Sequence, residues 1–201
     1  KFCRKSKIRK YISIKPVNKF EIRSKIINLR KHNFNKNFKI NLDTFFSFLK
    51  KKTNLKNLGG YYPSNFEIDD LEILDLLDKK NYKLSLPKIK KNNQMNFFNW
   101  SNSEPLKINK FGIPEPISKK IIYPDILLIP LVAYDNNLNR LGYGGGFYDR
   151  YIKKIEEIKK VIKIGLAFSY QKVKKIPIDQ YDKKLDFIVT EKEILKWEYC
   201  F

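Results

Sequence analysis

The segment DILLIP, at residues 125–130, constrains the fold more than any other part of the chain because it is apolar on both faces. A strand with one face in water alternates apolar and polar residues, whereas a parallel strand covered by helices on both sides is a continuous apolar run. A glycine-rich loop follows it, and then a helical pattern over residues 147–160. This order predicts an α/β fold with a mainly parallel central sheet.

Strands and helices alternate along the rest of the chain. Further strands are predicted over residues 58–62, 82–89, 95–100, 161–168 and 185–189, and helices from residue 19 onward and over 42–51 and 68–80. Asp43 or Thr44 is the expected N-cap of the helix over 42–51. Residues 101–124 contain several prolines and no periodicity, which predicts a long surface connection. Thr190, with Glu193 three residues later, predicts a capping box that opens a short C-terminal helix.

The expected organisation is a single three-layer α/β/α domain over residues 19–201, preceded by a basic extension over residues 1–18. A chain of 201 residues can bury about 70% of its unfolded surface, so it needs no disulfide or metal to fold. Two cysteines and one histidine cannot supply the clustered ligands of a structural zinc site. Cys3 and Cys200 are far apart in sequence, which is typical of a reduced, cytoplasmic protein.

The formal net charge of +21 raises the alternative of a nucleic-acid-binding module. Such a module would interleave basic and aromatic residues on one surface. Here the lysines are spread along the whole chain and outnumber the arginines, although arginine binds phosphate and guanine in two-pronged geometry. We therefore expect no nucleic acid partner. No apolar run approaches the roughly 20 residues that span a bilayer, and the basic N-terminus lacks the apolar centre of a secretory signal, so no membrane association is expected.

The sequence RLGYGGGFYDR, at residues 140–150, carries the chemistry. Four glycines in five residues let the backbone approach a ligand closely, and the N–H groups of the loop and of the following helix form a natural phosphate cradle. Arg140 adds a positive charge, and Asp149 offers a carboxylate for Mg²⁺ beside the phosphates. The spacing matches neither GxxxxGK[ST] nor GxGxxG. The alternative is a flexible turn, which needs only one or two glycines.

The chain resembles the 5-formyltetrahydrofolate cyclo-ligase family, also called methenyltetrahydrofolate synthetases. DILLIPLVAYD followed by RLGYGGGFYDR is similar to the signature of that family. Six shorter segments elsewhere in the chain occur in the same order as in the family, three before this signature and three after it. They are YYPSNFE, MNFFNW, GIPEP, IGLAFSYQ, IPIDQYD and LDFIVTE. One departure is Leu138, where the family usually has glycine in a turn. Its neighbours Asn137 and Asn139 tolerate a positive φ, so we expect the turn to survive.

The resemblance implies an enzyme that uses ATP and Mg²⁺ to close a ring on 5-formyltetrahydrofolate, giving 5,10-methenyltetrahydrofolate, ADP and phosphate. Phosphoryl transfer depends on positioning and charge more than on a covalent nucleophile, which suits a chain without a histidine or cysteine centre. A basic protein also attracts polyanions, and both ATP and polyglutamylated folates are polyanions. A monomer or weak homodimer is expected. A folate- or nucleotide-binding protein of the same fold without activity remains the second alternative.

The resemblance also implies the roles of individual residues. Arg140, Tyr148 and Asp149 are expected to act in catalysis, and Asp149 and Asp182 to hold Mg²⁺. A family pair of the form KxxxR, which reaches the ATP phosphates, fits Lys5 and Arg9 or Lys19 and Arg23, and its distance from Glu67 favours the second pair. The expected ATP-binding residues are then Lys19, Arg23, Arg140, Leu141, Gly142, Tyr143, Gly144, Gly145, Gly146, Phe147 and Tyr148. The expected folate-binding residues are Tyr62, Glu67, Met95, Phe97 and Trp100, although core packing is an equal alternative for Phe97.

Overall fold

A computed structural model describes residues 18–34, 39–52, 55, 57–90 and 93–196. The predicted extension 1–18, apart from its last residue, lies outside these ranges, as do Lys5, Arg9 and both cysteines. The helices are α1 (Lys19–Asn33), α2 (Leu42–Lys52), α3 (Leu71–Lys79) and α4 (Phe147–Glu156). Among the described residues, no helix is both long enough and apolar enough to cross a membrane.

Eight strands form one mixed sheet, in the order β12-β11-β10-β7-β1-β2-β3-β6. Its five central strands are parallel, and they are β11 (Phe187–Val189), β10 (Ile162–Leu166), β7 (Ile126–Pro130), β1 (Asn57–Gly59) and β2 (Lys83–Ile89). The three remaining strands are antiparallel to their neighbours, and they are the edge strands β12 (Ile194–Lys196) and β6 (Ile121–Ile122) and the strand next to β6, β3 (Met95–Asn99). Two hairpins lie outside the sheet, formed by β4 (Leu106–Ile108) with β5 (Pro114–Pro116) and by β8 (Ala133–Tyr134) with β9 (Arg140–Leu141).

The predicted three-layer α/β/α architecture is confirmed, and β7 shows why it forms. Ile126 and Leu128 point into a core that also holds residues of α2 and α3, such as Phe45 and Leu74. Leu127 and Ile129 point into a second core that contains Ile152 and other residues of α4. A strand buried on both sides has no polar position to offer, which is why its sequence is a continuous apolar run.

Helix α1 belongs to neither layer. Its buried residues Ile22 and Ile26 pack with Ala133 and Leu141 of the β8–β9 hairpin in a third, smaller core. This hairpin follows β7 directly, so α1 docks on the side of the molecule where the parallel strands end. The helix is thereby placed beside the glycine-rich loop, which begins right after β9.

The turn of the β8–β9 hairpin survives the absence of glycine, but in a different way from the predicted one. The positive φ of 59° lies on Leu138 itself and not on either asparagine. Asp135 Oδ1 accepts hydrogen bonds from the amides of Asn137 and Asn139 at 2.9 and 3.1 Å. Leu138 is 1% exposed within the second core. Burying a leucine contributes roughly 1.5–3 kcal/mol, which offsets a left-handed residue costing roughly 1–2 kcal/mol.

Three local predictions were wrong. The N-cap of α2 is Asn41, whose Oδ1 accepts from the amide of Thr44 at 2.9 Å, not Asp43 or Thr44. Residues 101–124 are not a structureless connection, because they form β4, β5 and β6. Thr190 does not open a helix: its Oγ1 accepts from the amide of Glu193 at 3.0 Å in a turn that leads into β12. A side-chain bond across three residues stabilises a turn as well as a helix start.

Asp70 is a buried carboxyl group whose ionisation makes the stability of the fold depend on pH. It is 0% exposed, its Oδ2 accepts from the amide of Tyr61 at 3.1 Å, and its Oδ1 has no partner. Burial raises the pKa of Asp70 well above its usual range, although the Tyr61 bond opposes this. The folded state therefore binds a proton that the unfolded state releases above pH ~4. The stability that protonated Asp70 contributes to the folded state is complete below that pH and is lost as the pH rises through the folded pKa of Asp70.

Asp70→Asn removes this titration and can keep the bond from Tyr61. We expect the variant to gain stability relative to the native protein as the pH rises above about 4, by up to ~1.4 kcal/mol per pH unit. Denaturant unfolding between pH 4 and 8 measures the difference, with exposed Asp69→Asn as the matched control. A difference that does not change with pH would contradict this role of Asp70.

Candidate active site

A cavity of about 1220 Å³ lies where the central parallel strands end. Tyr61 and Tyr62 follow β1, Ile89 ends β2 and Pro130 ends β7, and all four line the cavity. Ligands of open α/β sheets bind outside the carboxyl ends of the strands, where loops from neighbouring strands diverge. The volume exceeds the roughly 300–1,000 Å³ of an ordinary small-molecule pocket, so there is room for two ligands side by side.

The glycine-rich loop forms one wall of this cavity. It connects β9 to α4, and Gly146, with φ of 63°, is the N-cap of α4. Gly144 has φ of 100°, which a residue with a side chain rarely adopts. Because Gly146 has no side chain to cap the helix, the first N–H groups of α4 are left for a ligand. A loop of this shape at a helix N-terminus is suited to bind phosphate.

Arg140 and Asp149 form an ion pair across the ends of the loop. Arg140 Nη2 donates to Asp149 Oδ1 at 2.7 Å, and the two side chains are 4% and 22% exposed. The amide of Lys183 donates to the same oxygen at 3.1 Å. Burial lowers the pKa of Arg140, and the charge of Asp149 opposes that effect. Arg140 Nε is buried without a partner, so the guanidinium retains a donor that nothing in the described part of the chain uses.

Lys19 and Arg23 reach the same cavity from α1. Lys19 Nζ contacts Asp182 Oδ2 at 2.5 Å and Asp179 Oδ2 at 2.8 Å. Burial lowers the pKa of Lys19, but the bonds to these two carboxylates outweigh it and leave the pKa raised. Arg23 Nε donates to the carbonyl of Gly142 at 2.8 Å. The structure thus brings this predicted pair to the loop.

Asp149 and Asp182 fit a magnesium site that completes its coordination with phosphate oxygens and water. Both line the cavity, and Asp182 precedes Lys183, whose amide bonds Asp149. The bonds found for Asp149 end on Oδ1 and those for Asp182 on Oδ2, so each keeps one carboxylate oxygen. The described residues contain no group of three or more His, Cys, Asp or Glu able to hold a metal. Mg²⁺ is typically bound by one or two carboxylates plus phosphates, so two are enough.

Glu67 lies on another wall, with Tyr62 and Met95. It is 6% exposed, and its Oε2 accepts from the amide and hydroxyl of Ser64 at 2.7 and 3.2 Å. Burial raises the pKa of Glu67, while the bond from the Ser64 amide and the charge of Arg30 oppose this. A carboxylate has more acceptor positions than the two that Ser64 uses, so Glu67 can accept hydrogen bonds from a ligand.

Two predicted folate-binding residues do not line the cavity. Phe97 is 0% exposed and packs behind the wall, with its ring centroid 6.5 Å from that of Tyr148 and 4.8 Å from that of Tyr151. Trp100 is 5% exposed in the first core, where its Nε1 donates to the carbonyl of Glu104 at 3.2 Å. Both side chains pack in the cores of the structure, as large apolar side chains usually do, and for Phe97 this is the core-packing alternative.

The sequence reasoning missed two residues beside the glycine loop. Phe111, at the tip of the β4–β5 hairpin, lines the cavity and lies 6.4 Å, centroid to centroid, from Phe147. Arg30 is 1% exposed and donates to the hydroxyl of Tyr143. Its spacing was a usable signal, because positions 19, 23 and 30 lie on one face of a helix. Nothing in the sequence indicated that the proline-containing segment around Phe111 folds back over the cavity.

Comparison with known proteins agrees with this architecture. A sequence profile of the 5-formyltetrahydrofolate cyclo-ligase family matches residues 16–191. The 5-formyltetrahydrofolate cyclo-ligase of Haemophilus influenzae is 35% identical over 137 residues, which cover 65% of this chain and 73% of that protein. The enzyme of the same name from Escherichia coli K12 is 31% identical over 138 residues, covering 65% and 75%.

Solved structures give the same result. The 5,10-methenyltetrahydrofolate synthetase of Aquifex aeolicus superposes with a TM-score of 0.71 and 29% identity, over 89% of this chain and 92% of that one. A synthetase of the same name from Mycoplasma pneumoniae shares the fold with a TM-score of 0.65 at 23% identity, over 87% and 99%. The fold and the glycine loop define an α/β protein with a glycine-rich cleft at the carboxyl edge of its sheet. The chain belongs to the 5-formyltetrahydrofolate cyclo-ligase family.

Gly144 and Gly142 offer a matched test of the loop. A Cβ on Gly144 would force a side chain to φ of 100° beside the Arg23 guanidinium, whereas a Cβ on Gly142 would meet only Arg140 Nη1 at an ordinary 3.5 Å. We expect Gly144→Ala to destabilise the protein by roughly 1–3 kcal/mol and Gly142→Ala to change it by less than about 1 kcal/mol. Denaturant unfolding of the two variants checks this. Equal losses of stability in the two variants would mean that the positive φ of Gly144 is not what makes this position sensitive to substitution.

Proposed function

We propose that this protein converts 5-formyltetrahydrofolate into 5,10-methenyltetrahydrofolate with consumption of ATP, releasing ADP and phosphate, and that it requires Mg²⁺. The carrying observation is that one large cavity combines a glycine-rich loop at a helix N-terminus with a buried carboxyl group. The family and its named relatives supply the identity of the substrate. A cavity that takes nucleotide and folate together is what a reaction between the two needs.

The chemistry explains why ATP is needed. The formyl group on N5 is an amide, and its oxygen is a poor leaving group. When the formyl oxygen attacks the γ-phosphorus, ADP leaves and the oxygen becomes part of a phosphate ester. The N10 amine then attacks the same carbon, the N10–C bond forms, phosphate leaves with the former formyl oxygen, and N10 loses its proton. Neither step requires a covalent nucleophile from the protein.

The residues of the cavity would have different roles in this reaction. Lys19, Arg23, Arg140 and the amides of the glycine loop would bind the phosphates, with Arg140 placed to stabilise charge on the transferred group. Asp149 and Asp182 would hold Mg²⁺, which offsets phosphate charge when it is bound. Glu67 would hydrogen-bond the folate, between walls formed by Tyr62, Met95, Phe147 and Tyr148. Exclusion of water by the apolar walls would protect the phosphorylated intermediate from hydrolysis.

The first test is an absorbance assay for methenyltetrahydrofolate formation by the purified protein. We expect product only when ATP and Mg²⁺ are both present, because the poor leaving group and the phosphate charge must both be overcome. EDTA should stop the reaction and added Mg²⁺ should restore it. Equal conversion without nucleotide, or after the metal is removed, would exclude the proposal.

The second test concerns Asp149. Asp149→Asn keeps the size of the side chain and an acceptor for Arg140, but removes the negative charge. If Asp149 holds Mg²⁺, turnover should fall on the order of a hundredfold or more, and more Mg²⁺ should be needed. Asp179→Asn is the control, because Asp179 is another cavity carboxylate that bonds Lys19 but is not a predicted metal ligand. Normal turnover with unchanged Mg²⁺ dependence would exclude the metal role.

A further inference from the structure

Arg30 on α1 is a buried charge that the proposed reaction does not use. Its side chain is 1% exposed, although arginine is almost never fully buried unless it is paired. Nη1 donates to the carbonyl of Leu131 at 3.3 Å, Nη2 donates to the hydroxyl of Tyr143, and Nε is buried without a partner. Apart from one carbonyl, its bonding therefore depends on a single residue of the glycine loop.

The Tyr143 hydroxyl joins Arg30 to Glu67. It accepts from Arg30, and it lies close enough to the Glu67 carboxyl for each group to affect the pKa of the other. The directions are fixed by chemistry, because a guanidinium only donates and a carboxylate only accepts. Two buried groups of opposite charge are thus connected through one hydroxyl. An unpaired buried carboxylate is costly, and the Arg30 charge favours the ionised form of Glu67 by opposing the rise in its pKa.

Helix α1 holds the glycine loop at two successive residues. Arg23 holds the backbone through the carbonyl of Gly142 at 2.8 Å, and Arg30, about two helical turns later, holds the side chain of Tyr143. The Tyr143 ring is 41% exposed and lines the cavity between the loop and Glu67. The helix that carries Lys19 at its first residue therefore also holds Tyr143 of the glycine loop.

We propose that Arg30 is a positioning residue that sets the folate side of the cavity, by holding Tyr143 and, through the Tyr143 hydroxyl, Glu67. The inference rests on the proposed function, because Glu67 is the residue expected to bind the folate. Loss of Arg30 leaves the Glu67 carboxylate buried without its positive charge and leaves the Tyr143 hydroxyl free to turn away. Nucleotide binding is expected to change less, since Arg23 and the Arg140–Asp149 pair hold the loop independently.

A merely structural role of Arg30 predicts a different result. If the guanidinium only filled space and stabilised α1, its loss would lower the melting temperature and would affect both substrates alike. The proposed role predicts a larger increase in the Michaelis constant for 5-formyltetrahydrofolate than in that for ATP. It also predicts that Arg30 and Tyr143 act as a unit, because the hydroxyl reaches Glu67 with the orientation that Arg30 gives it.

The experiment compares Arg30→Gln, Tyr143→Phe and the double variant, in full-length protein with both Michaelis constants measured. We expect Arg30→Gln to raise the constant for the folate about tenfold or more, with a change of less than about threefold for ATP. Tyr143→Phe should raise the folate constant by a smaller factor. The double variant should lie within about twofold of Arg30→Gln, because residues that act as a unit are not additive. Lys31→Gln, an exposed neighbour on α1, is the control for loss of charge and should match the native protein.

The outcomes separate the possibilities. Multiplicative effects of the two single substitutions, equal changes in both constants, or a loss of stability alone would overturn the role of Arg30. If Arg30→Gln does not fold, Tyr143→Phe decides, because it removes only the bridging oxygen: an unchanged folate constant overturns the inference. A native protein without ATP-dependent conversion would overturn both the function and the inference. An active native protein with unaffected variants would overturn the inference only.

Discussion

The ion pair between Arg140 and Asp149 is the contact on which the geometry of the site depends. Arg140 begins β9 and Asp149 lies in the first turn of α4, so their 2.7 Å contact connects the two ends of the glycine loop. Between these two residues the loop contains four glycines and has little conformational preference of its own. A buried ion pair is costly when one partner is removed, so the loop is held in one shape. The amide of Lys183, donated to the same carboxylate, attaches a second loop to this point.

A second feature of the site is its buried positive charge. Arg30 and Arg140 are both almost fully buried, and the Nε of each lacks a partner within the described residues. Desolvating guanidinium groups costs free energy, which carboxylates at Glu67 and Asp149 offset only in part. A polyanionic ligand would lower that cost, and its negative charge would be stabilised by preorganised donors in a region shielded from water. Buried donors of this kind are suited to bind phosphate.

The extent to which the sequence predicts this structure differs between the sheet and the site. The central strands and helices α1 to α4 are predictable because each has an apolar pattern that reflects its own burial, such as the continuous apolar run of β7. The β4–β5 hairpin and β12 were missed, because three-residue strands are stabilised by partners distant in sequence. The glycine loop was recognisable from its composition. Phe97 and Trp100 were not distinguishable from cavity residues, because alternation along a strand shows which residues share a face but not what covers that face.

Arg30 shows a further limit. Its position on the same helical face as Lys19 and Arg23 can be read from the sequence. In a chain with 42 lysines and arginines, however, a single basic residue is not distinguished from the others until its burial is known. Leu138 is the opposite case, because the missing glycine was visible in the sequence and the turn was expected to survive through Asn137 and Asn139, whereas Leu138 itself has the positive φ. The structure keeps the turn because the Asp135 carboxylate satisfies its amides and the core receives the leucine side chain.

The central claim is that the cavity transfers the γ-phosphoryl group of ATP to the formyl oxygen of the folate. Isotopic labelling tests it most directly. 5-Formyltetrahydrofolate carrying ¹⁸O in the formyl group is converted to completion, and the released phosphate is analysed by mass spectrometry. Direct phosphorylation predicts that the label appears in phosphate, one atom per molecule of product. Label released into water, with unlabelled phosphate formed at the same rate, would contradict the account.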